Sequence, residues 1–187
     1  MILLAAGLSC RMGGDKLLLL YKGKSLLQLA VDLLSGLPVY ERILVTTRAR
    51  LDTVVLPDDV RVVINPRPES GQSGSIRLGV SAALGQWYFF MAADQPGLVA
   101  GDLLPLLGCA GCGKDAIVYP VVNGCPCSPT LFSSSFRAEL LALSGDVGGR
   151  SVRDAHPEAC IAVEPERPGN FLDIDNMEDY MRLMLNA

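Results

Sequence analysis

The chain has 187 residues, half of them hydrophobic, and a formal net charge of −4 at neutral pH. This acidic balance argues against a nucleic-acid-binding protein, which normally carries a basic surface. No apolar run approaches the roughly 20 residues that a membrane-spanning helix needs, so we expect neither a nucleic-acid nor a membrane partner. The length predicts a single domain over residues 1–187.

The first residues and the cysteines bear on the cellular compartment. The apolar run at the start is short and has no basic leader, unlike an export signal, so we expect a cytoplasmic protein with reduced thiols. Cys109 and Cys112 form a C-x-x-C motif, and Cys125 and Cys127 form a C-x-C motif. Together they leave a zinc site open, but the second spacing is shorter than usual and favours packed thiols.

Short β-rich runs alternate with amphipathic runs along the chain, which is typical of an α/β fold. The predicted strands, in chain order, are 1–5, 41–47, 60–65, 87–93, 116–122 and 160–163. The predicted helices are 25–34, 75–84, 102–107, 136–143, 149–156 and 175–185. Pro120 predicts a bend or a sheet edge in its strand. Asp175 and Glu178 predict a capping-box start for the last helix.

The segment LLAAGLSCRMGGDK, residues 3–16, places a glycine-rich loop with two cations directly after the first predicted strand. Its small residues let backbone amides approach a base or a phosphate. Arg11 offers a planar fork to phosphate oxygens, and Lys16 offers a point charge. The spacing is neither that of a P-loop nor that of a dinucleotide-binding loop. The residues therefore predict a phosphate site of another kind, with a solvated surface loop as the alternative.

Acidic residues follow two other segments. Asp94 comes directly after the apolar run 87–93, where a buried carboxylate without a partner is costly. Mg²⁺ prefers one or two carboxylates together with phosphate oxygens, so a metal would satisfy it; a loop or cap aspartate is the alternative. Asp173 and Asp175 flank one residue and point to the same side of an extended segment. One of them could complete the metal shell, while Asp175 could instead only cap the last helix.

Five separated motifs resemble, in order, those of the molybdenum cofactor cytidylyltransferases, which are MobA-like nucleotidyltransferases. The motifs are L-A-A-G-x-S-x-R-M-G-x-x-K (4–16), NPRPESGQSGSIRLG (65–79), DQPGL (94–98), GDVGGR (145–150) and DIDNMEDY (173–180). The glutamine at position 95 resembles the residue that the cytidylyltransferases carry after this aspartate, whereas the related guanylyltransferases usually carry methionine there. Five motifs in order are far more specific than any one of them.

The resemblance implies a three-layer α/β/α, Rossmann-like nucleotidyltransferase fold, similar to GT-A, with a mostly parallel mixed sheet. It implies transfer of CMP from CTP to molybdenum-bearing molybdopterin with Mg²⁺ as cofactor, and a molybdoenzyme as partner. The N-terminal half would mainly bind nucleotide and the C-terminal half the acceptor. Alternatives are a guanylyltransferase using GTP, a cytidylyltransferase for another phosphorylated metabolite, and a non-catalytic nucleotide-binding protein that delivers cofactor.

The site residues that the resemblance implies fall into four groups. The catalytic residues are Arg11, Lys16 and Asp94. The nucleotide-binding residues are Leu4, Ala5, Ala6, Gly7, Ser9, Asn65, Gln72, Ser73, Ser75 and Arg77. The acceptor-binding residues are Gly148, Gly149 and Arg150, and the metal ligands are Asp94, Asp173 and Asp175. Two alternatives stay open. Arg77 could form an ion pair at the surface instead of binding the nucleotide, and the GDVGGR segment could be the start of a helix that Asp146 caps.

Overall fold

The computed structural model describes residues 1–8 and 14–185. The strands are β1 Ile2–Ala5, β2 Leu20–Tyr21, β3 Lys24–Ser25, β4 Arg42–Thr46, β5 Val60–Ile64, β6 Trp87–Ala92, β7 Ile117–Val122, β8 Cys125–Pro126, β9 Thr130–Ser133 and β10 Cys160–Val163. The helices are α1 Leu26–Ser35, α2 Arg48–Leu51, α3 Gln72–Ala82, α4 Ala100–Gly108, α5 Arg137–Ala142, α6 Arg150–Ala155 and α7 Met177–Leu185. Over the same ranges, no helix is both long and apolar enough to cross a bilayer.

Within the described residues, eight strands form one sheet in the order β10-β7-β9-β6-β1-β4-β5, with β8 paired to β7. The pairs β6-β1, β1-β4, β4-β5 and β10-β7 are parallel, whereas β9 runs antiparallel to β6 and β7. This confirms the predicted mixed, mostly parallel sheet. The carboxyl ends of β1, β4 and β6 meet at one edge, where open α/β sheets bind ligands.

Successive residues of each strand pack on opposite faces of the sheet. Leu3 and Phe89 pack with α1 and α4 on one face. Ile2 and Tyr88 pack with α3, α5 and α6 on the other face. Because both faces are covered by helices, the strands carry continuous apolar runs. The predicted three-layer α/β/α architecture is confirmed.

Pro120 lies where β7 changes its antiparallel partner. Ile117 and Val118 pair with β9, whereas Val121 and Val122 pair with β8. Proline has no N–H to donate, so it fits between two pairings at little cost. The predicted sheet edge is wrong, since β7 lies between β10 and β9.

The cap of α7 lies one residue after its predicted position. Asn176 Oδ1 accepts a hydrogen bond from Asp179 N (3.0 Å), and Asp179 Oδ2 accepts one from Asn176 N (3.2 Å). This reciprocal pair is a capping box in which asparagine and aspartate replace the predicted Asp175 and Glu178. The prediction failed because Asp175 instead lies 3.4 Å from the ammonium group of Lys16.

Candidate functional site

Two adjoining cavities open at the edge of the sheet where β1 and β6 end. The first cavity, about 530 Å³, is lined by Leu4, Ala5, Ala6, Gly7, Leu8, Lys16, Leu17, Pro68, Glu69, Gly71, Gln72, Ser75, Ala92, Ala93, Asp94, Asp146 and Asp175. The second cavity, about 300 Å³, is lined by Leu4, Gln72, Ile76, Phe90, Met91, Ala92, Pro126, Cys127, Ser128, Thr130, Phe132, Gly148, Gly149, Arg150 and Arg153. Leu4, Gln72 and Ala92 line both cavities. Of these three, Gln72 has the polar side chain, so it is the hydrogen-bonding group at the junction.

A lysine–carboxylate pair lies in the wall of the first cavity. Lys16 Nζ is 2.6 Å from Asp94 Oδ2, and it also donates a hydrogen bond to the carbonyl of Ile174 (2.9 Å). Burial acts to lower the pKa of Lys16, but the charge and hydrogen bond of Asp94, with smaller effects of Asp175, outweigh it and raise the pKa. Lys16 therefore stays protonated at neutral pH.

The other oxygen of Asp94 has an unusual environment. Asp94 Oδ1 is buried and accepts no hydrogen bond from any residue that the structure describes. A buried acceptor left without a partner is costly, and a cation is one ligand that removes the cost. Asp94 and Asp175 are the two described carboxylates of the first cavity that contact Lys16, and two is a number that Mg²⁺ takes together with phosphate oxygens.

The metal prediction also included Asp173. Asp173 is exposed as a whole residue, but protein groups surround its carboxyl group and exclude part of the water from it. This desolvation, followed by the charges of Asp94 and Asp175, raises the pKa of Asp173 to about 7. Within residues 1–8 and 14–185, no group of three or more His, Cys, Asp or Glu side chains is arranged to hold a metal ion. Among the described residues, Asp94, Asp173 and Asp175 are thus not grouped around one point, and neither are the four cysteines whose spacing left a zinc site open.

Arg50 in α2 holds the two ends of the opening loop, and sequence reasoning missed it. Its guanidinium group donates to the carbonyls of Ala5 (2.7 Å) and Gly7 (2.8 Å) and to both carboxylate oxygens of Asp15 (2.5 and 2.8 Å). Arg50 is buried, so these bonds compensate for its desolvation. Asp15, although adjacent to Lys16 in sequence, therefore neutralises Arg50. Lys16 forms its ion pair with Asp94 instead.

The start of α3 is tied to the GDVGGR segment. Ser73 Oγ donates a hydrogen bond to the carbonyl of Gly145 (2.6 Å), and Asp146 Oδ1 accepts one from the backbone N–H of Gln72 (3.3 Å). The alternative in which Asp146 caps the following helix is wrong, because Asp146 caps α3 instead. Gly71 has φ +82°, and a Cβ there would lie 2.6 Å from Asp146 Cα, so only glycine allows this approach.

The second cavity combines cations with aromatic rings. Arg150 and Arg153 lie three residues apart and share one side of α6. Arg153 is buried, donates two hydrogen bonds to Asp154 Oδ1 (2.8 and 3.0 Å) and lies 4.9 Å from the centroid of the Tyr119 ring. Phe132 also lines this cavity, and a Cβ on Gly149 would be 3.0 Å from its ring. Sequence reasoning missed Arg153, although its helical spacing from Arg150 was a usable signal.

A family model decides the assignment. The model of the MobA-like NTP transferase domain matches residues 1–160. The chain belongs to the MobA-like NTP transferase family. It is therefore a nucleotidyltransferase, and the family assignment supports the part of the sequence resemblance that concerned nucleotidyl transfer.

Solved structures share the fold of this family member. Rv0371c from Mycobacterium tuberculosis, in complex with manganese, is 22% identical, with a TM-score of 0.77 and coverage of 100% of this chain and 97% of that one. A nucleotidyl transferase from Methanothermobacter is 23% identical (TM-score 0.78, 100% and 97% covered). Molybdopterin-guanine dinucleotide biosynthesis protein A from Archaeoglobus fulgidus is 16% identical (TM-score 0.70, 97% and 95% covered). Among curated proteins, none matches the chain significantly.

The predicted site residues of this nucleotidyltransferase are divided between the two cavities. The first cavity contains Leu4, Ala5, Ala6, Gly7, Lys16, Gln72, Ser75, Asp94 and Asp175. The second contains Gly148, Gly149 and Arg150, and it shares Leu4 and Gln72 with the first. Ser9 and Arg11 lie outside the described residues. Their predicted roles remain predictions.

Three predicted nucleotide-binding residues do not line either cavity. Asn65 is buried and uses its side chain within the protein, donating to Ser75 Oγ (3.0 Å) and accepting from Arg67 N (2.9 Å). Ser73 is occupied by Gly145, as described above. Arg77 is exposed in the second turn of α3, because this helix begins at Gln72 rather than at the predicted Ser75.

Gln95 has a structural role next to Asp94. Its Nε2 donates hydrogen bonds to the carbonyls of Ser128 (3.0 Å) and Phe171 (3.2 Å). It thereby joins the loop of the second cavity to the segment that carries Asp173 and Asp175. A methionine at this position could not donate these two bonds, so the link between Ser128 and Phe171 depends on the amide group of Gln95.

Proposed function

We propose that this protein is a magnesium-dependent nucleotidyltransferase that transfers CMP from CTP to molybdenum-bearing molybdopterin. The observation that carries the proposal is the junction of two complementary cavities. The first contains the Lys16–Asp94 pair, and the second contains Arg150 and Arg153 beside aromatic rings. They meet at Gln72, where the acceptor phosphate would reach the α-phosphorus of CTP and the cytidylyl group would be transferred to it.

The reaction forms one phosphoanhydride bond and breaks another. A phosphate oxygen of the acceptor attacks the α-phosphorus of CTP, and the bond to pyrophosphate breaks. The attacking phosphate monoester is already anionic near neutral pH, so no side chain has to remove a proton. This agrees with the first cavity, where the described lining residues include no histidine or cysteine. The protein contributes alignment and charge neutralisation.

Each group in the first cavity has a role in this scheme. The backbone of Ala5, Ala6 and Gly7 is held in place by Arg50 and can approach the nucleotide closely. The Lys16 ammonium group neutralises negative charge on the leaving pyrophosphate, and Arg11 is proposed to assist. Asp94 and Asp175 would hold Mg²⁺, which supplies Lewis-acid polarisation of the phosphate oxygens when bound.

The second cavity fits an anion joined to a flat heteroaromatic body. Arg150 and Arg153 share Asp154 as their ion-pair partner, which leaves one positive charge in excess. Phe90 and Phe132 line the apolar part of the wall. A pterin phosphate combines an anion with a flat ring system. The acceptor that we propose is consistent with the fold shared with molybdopterin-guanine dinucleotide biosynthesis protein A. The divalent cation that we propose is consistent with the structure of Rv0371c in complex with manganese.

The test uses purified protein with Mg²⁺, the molybdopterin substrate, and CTP or GTP in separate reactions. Release of pyrophosphate and formation of the dinucleotide, identified by mass spectrometry, are followed together. We expect product with CTP, a large loss in Asp94→Asn, and little change in the surface variant Lys24→Met. Product with GTP alone would identify the guanylyltransferase alternative, and tight nucleotide binding without product would identify the delivery protein.

A further inference from the structure

We propose that Lys16 is an internal counter-ion of the metal site. Its ammonium group forms an ion pair with Asp94 until the polyphosphate of a nucleotide attracts it instead. A divalent cation and a nucleotide therefore each strengthen the binding of the other. The identity of the polyphosphate rests on the proposed function above. The central claim concerns only Lys16, Asp94 and a divalent cation.

Oxygen atoms from two segments converge on the ammonium group of Lys16. They are Asp94 Oδ2 at 2.6 Å, the carbonyl oxygen of Ile174 at 2.9 Å and Asp175 Oδ1 at 3.4 Å. Carboxylate and carbonyl oxygens are the ligands that hard divalent cations prefer. The ammonium group therefore uses the same oxygens that a metal ion would need.

The charges make simultaneous occupation unfavourable. The side chains of Lys16 and Asp94 are only 17% and 19% exposed, so salt and water screen the pair weakly. A divalent cation brought to Asp94 would meet the positive charge of Lys16 at short range. Unless Lys16 moves, the metal binds against this repulsion, and its affinity for the protein alone is reduced.

A nucleotide would remove the repulsion. Lys16 lines the first cavity together with Gly7, so its ammonium group already borders the space that the polyphosphate would fill. Its flexible stem lets it exchange the carboxylate for a phosphate without moving the backbone. The half-buried Asp94 is then released for the metal. By linkage, the metal must strengthen nucleotide binding by the same factor, and such couplings are commonly about 5- to 150-fold.

The experiment measures Mn²⁺ binding by electron paramagnetic resonance, first without nucleotide. The proteins are the wild type, Lys16→Met, and Lys24→Met as matched control, since Lys24 pairs with Asp32 at the surface. We expect Lys16→Met to bind Mn²⁺ at least fivefold more tightly than the wild type and the control. Adding Asp94→Asn to Lys16→Met should abolish the gain.

The second part adds CTP or GTP in separate titrations. The wild type should bind Mn²⁺ more tightly with nucleotide, and this increase should shrink in Lys16→Met. Equal or weaker Mn²⁺ affinity of Lys16→Met without nucleotide overturns the inference. If neither nucleotide binds the wild type, the proposed function fails, but the comparison with Mn²⁺ alone still decides the role of Lys16. Thermal unfolding checks the fold of each variant, and Lys16→Gln replaces Lys16→Met if that protein does not fold.

Discussion

The two cavities lie side by side, but different forces shape them. The first is organised by charge: Arg50 holds the opening loop, and Lys16 joins that loop to Asp94. The second is organised by packing, with Phe132 fitted against Gly149 and cations along one side of α6. The described lining of the first includes four acidic residues, and that of the second includes none. The first therefore suits a cation with its polyphosphate, and the second suits an anion.

The largest effect should come from Asp94. Asp94→Asn keeps the shape of the side chain but removes the charge that faces Lys16. We expect turnover to fall by about 10²- to 10³-fold, the loss seen when a preorganised electrostatic contact is removed. Steady-state kinetics with CTP and acceptor measure it. Unchanged turnover would show that the acidic character of the first cavity has no catalytic use.

The next largest effect should come from the support of the first cavity. Arg50→Met removes the guanidinium group that contacts Asp15 and the carbonyls of Ala5 and Gly7. We expect the free energy of unfolding to fall by about 3 kcal/mol, as when one partner of a buried ion pair is removed. Denaturant unfolding measures the change. Arg61→Met is the control, because this arginine pairs with Glu41 at a more exposed position and should cost under about 1 kcal/mol.

A smaller effect should appear at the junction of the cavities. A Cβ on Gly148 would lie 2.2 Å from Gln72 Oε1, so Gly148→Ala must displace this side chain. We expect roughly a tenfold loss in kcat/KM for the acceptor, equivalent to about 1.4 kcal/mol, with the fold retained. In a Gln72→Ala background the same substitution should cost much less, since the displaced group is absent. Additive losses would show that Gly148 acts independently of Gln72. Gly108→Ala, with open space around it, is the control.

The smallest effect concerns the packing behind the second cavity. His156 pairs with Glu139 (2.9 Å) and Glu158 (3.3 Å), and its ring lies 5.0 Å from that of Phe136. The hydrogen bond to Glu139, with further effects of Glu158, raises the pKa of His156. Because the pKa of His156 is higher in the folded protein than in the unfolded chain, its ion pairs stabilise the fold fully below about pH 6.5, the pKa of an unperturbed histidine. This stabilisation is lost as the pH rises through the pKa of His156 in the folded protein.

The melting temperature of the wild type should therefore decline slightly more between pH 6 and pH 8 than that of His156→Gln. Differential scanning fluorimetry at several pH values measures this difference. Parallel curves for the two proteins would show that His156 does not contribute to pH-dependent stability. The effect is small because the His156 side chain is 30% exposed and its carboxylate partners are more exposed still, so solvent screens these pairs.

Local sequence patterns predicted much of the fold for a physical reason. α1 carries a helical apolar periodicity and β6 a continuous apolar run that ends at an aspartate, and the predicted ranges 25–34 and 87–93 agree closely with the structure. β9 was missed because its four residues follow a segment rich in proline and cysteine, and only pairing with β6 and β7 stabilises it. The cap of α7 was misplaced because Asp175 is engaged by a residue from the other end of the chain.

The site shows the same division between local and distant information. Small residues after β1 and a carboxylate after β6 are local signals, and both segments lie in the first cavity. Arg50 had no such signal, because its importance comes from the distant groups that it contacts, whereas the local signal for Arg153 was its helical spacing from Arg150. Asn65 and Ser73 carried a suggestive motif, but their hydrogen bonds hold loops of the protein together.

The sequence by itself determined the α/β class and the segments that carry the charged groups, and the resemblance of its motifs implied the mostly parallel sheet. The class and the segments follow from hydrophobic periodicity and from loop composition, which act over a few neighbouring residues. The tertiary structure alone decided that Asp15 neutralises Arg50, that Lys16 meets Asp94 and that Gln72 stands between two cavities. Such pairings depend on the distance between residues far apart in the chain, and only the packed sheet sets that distance.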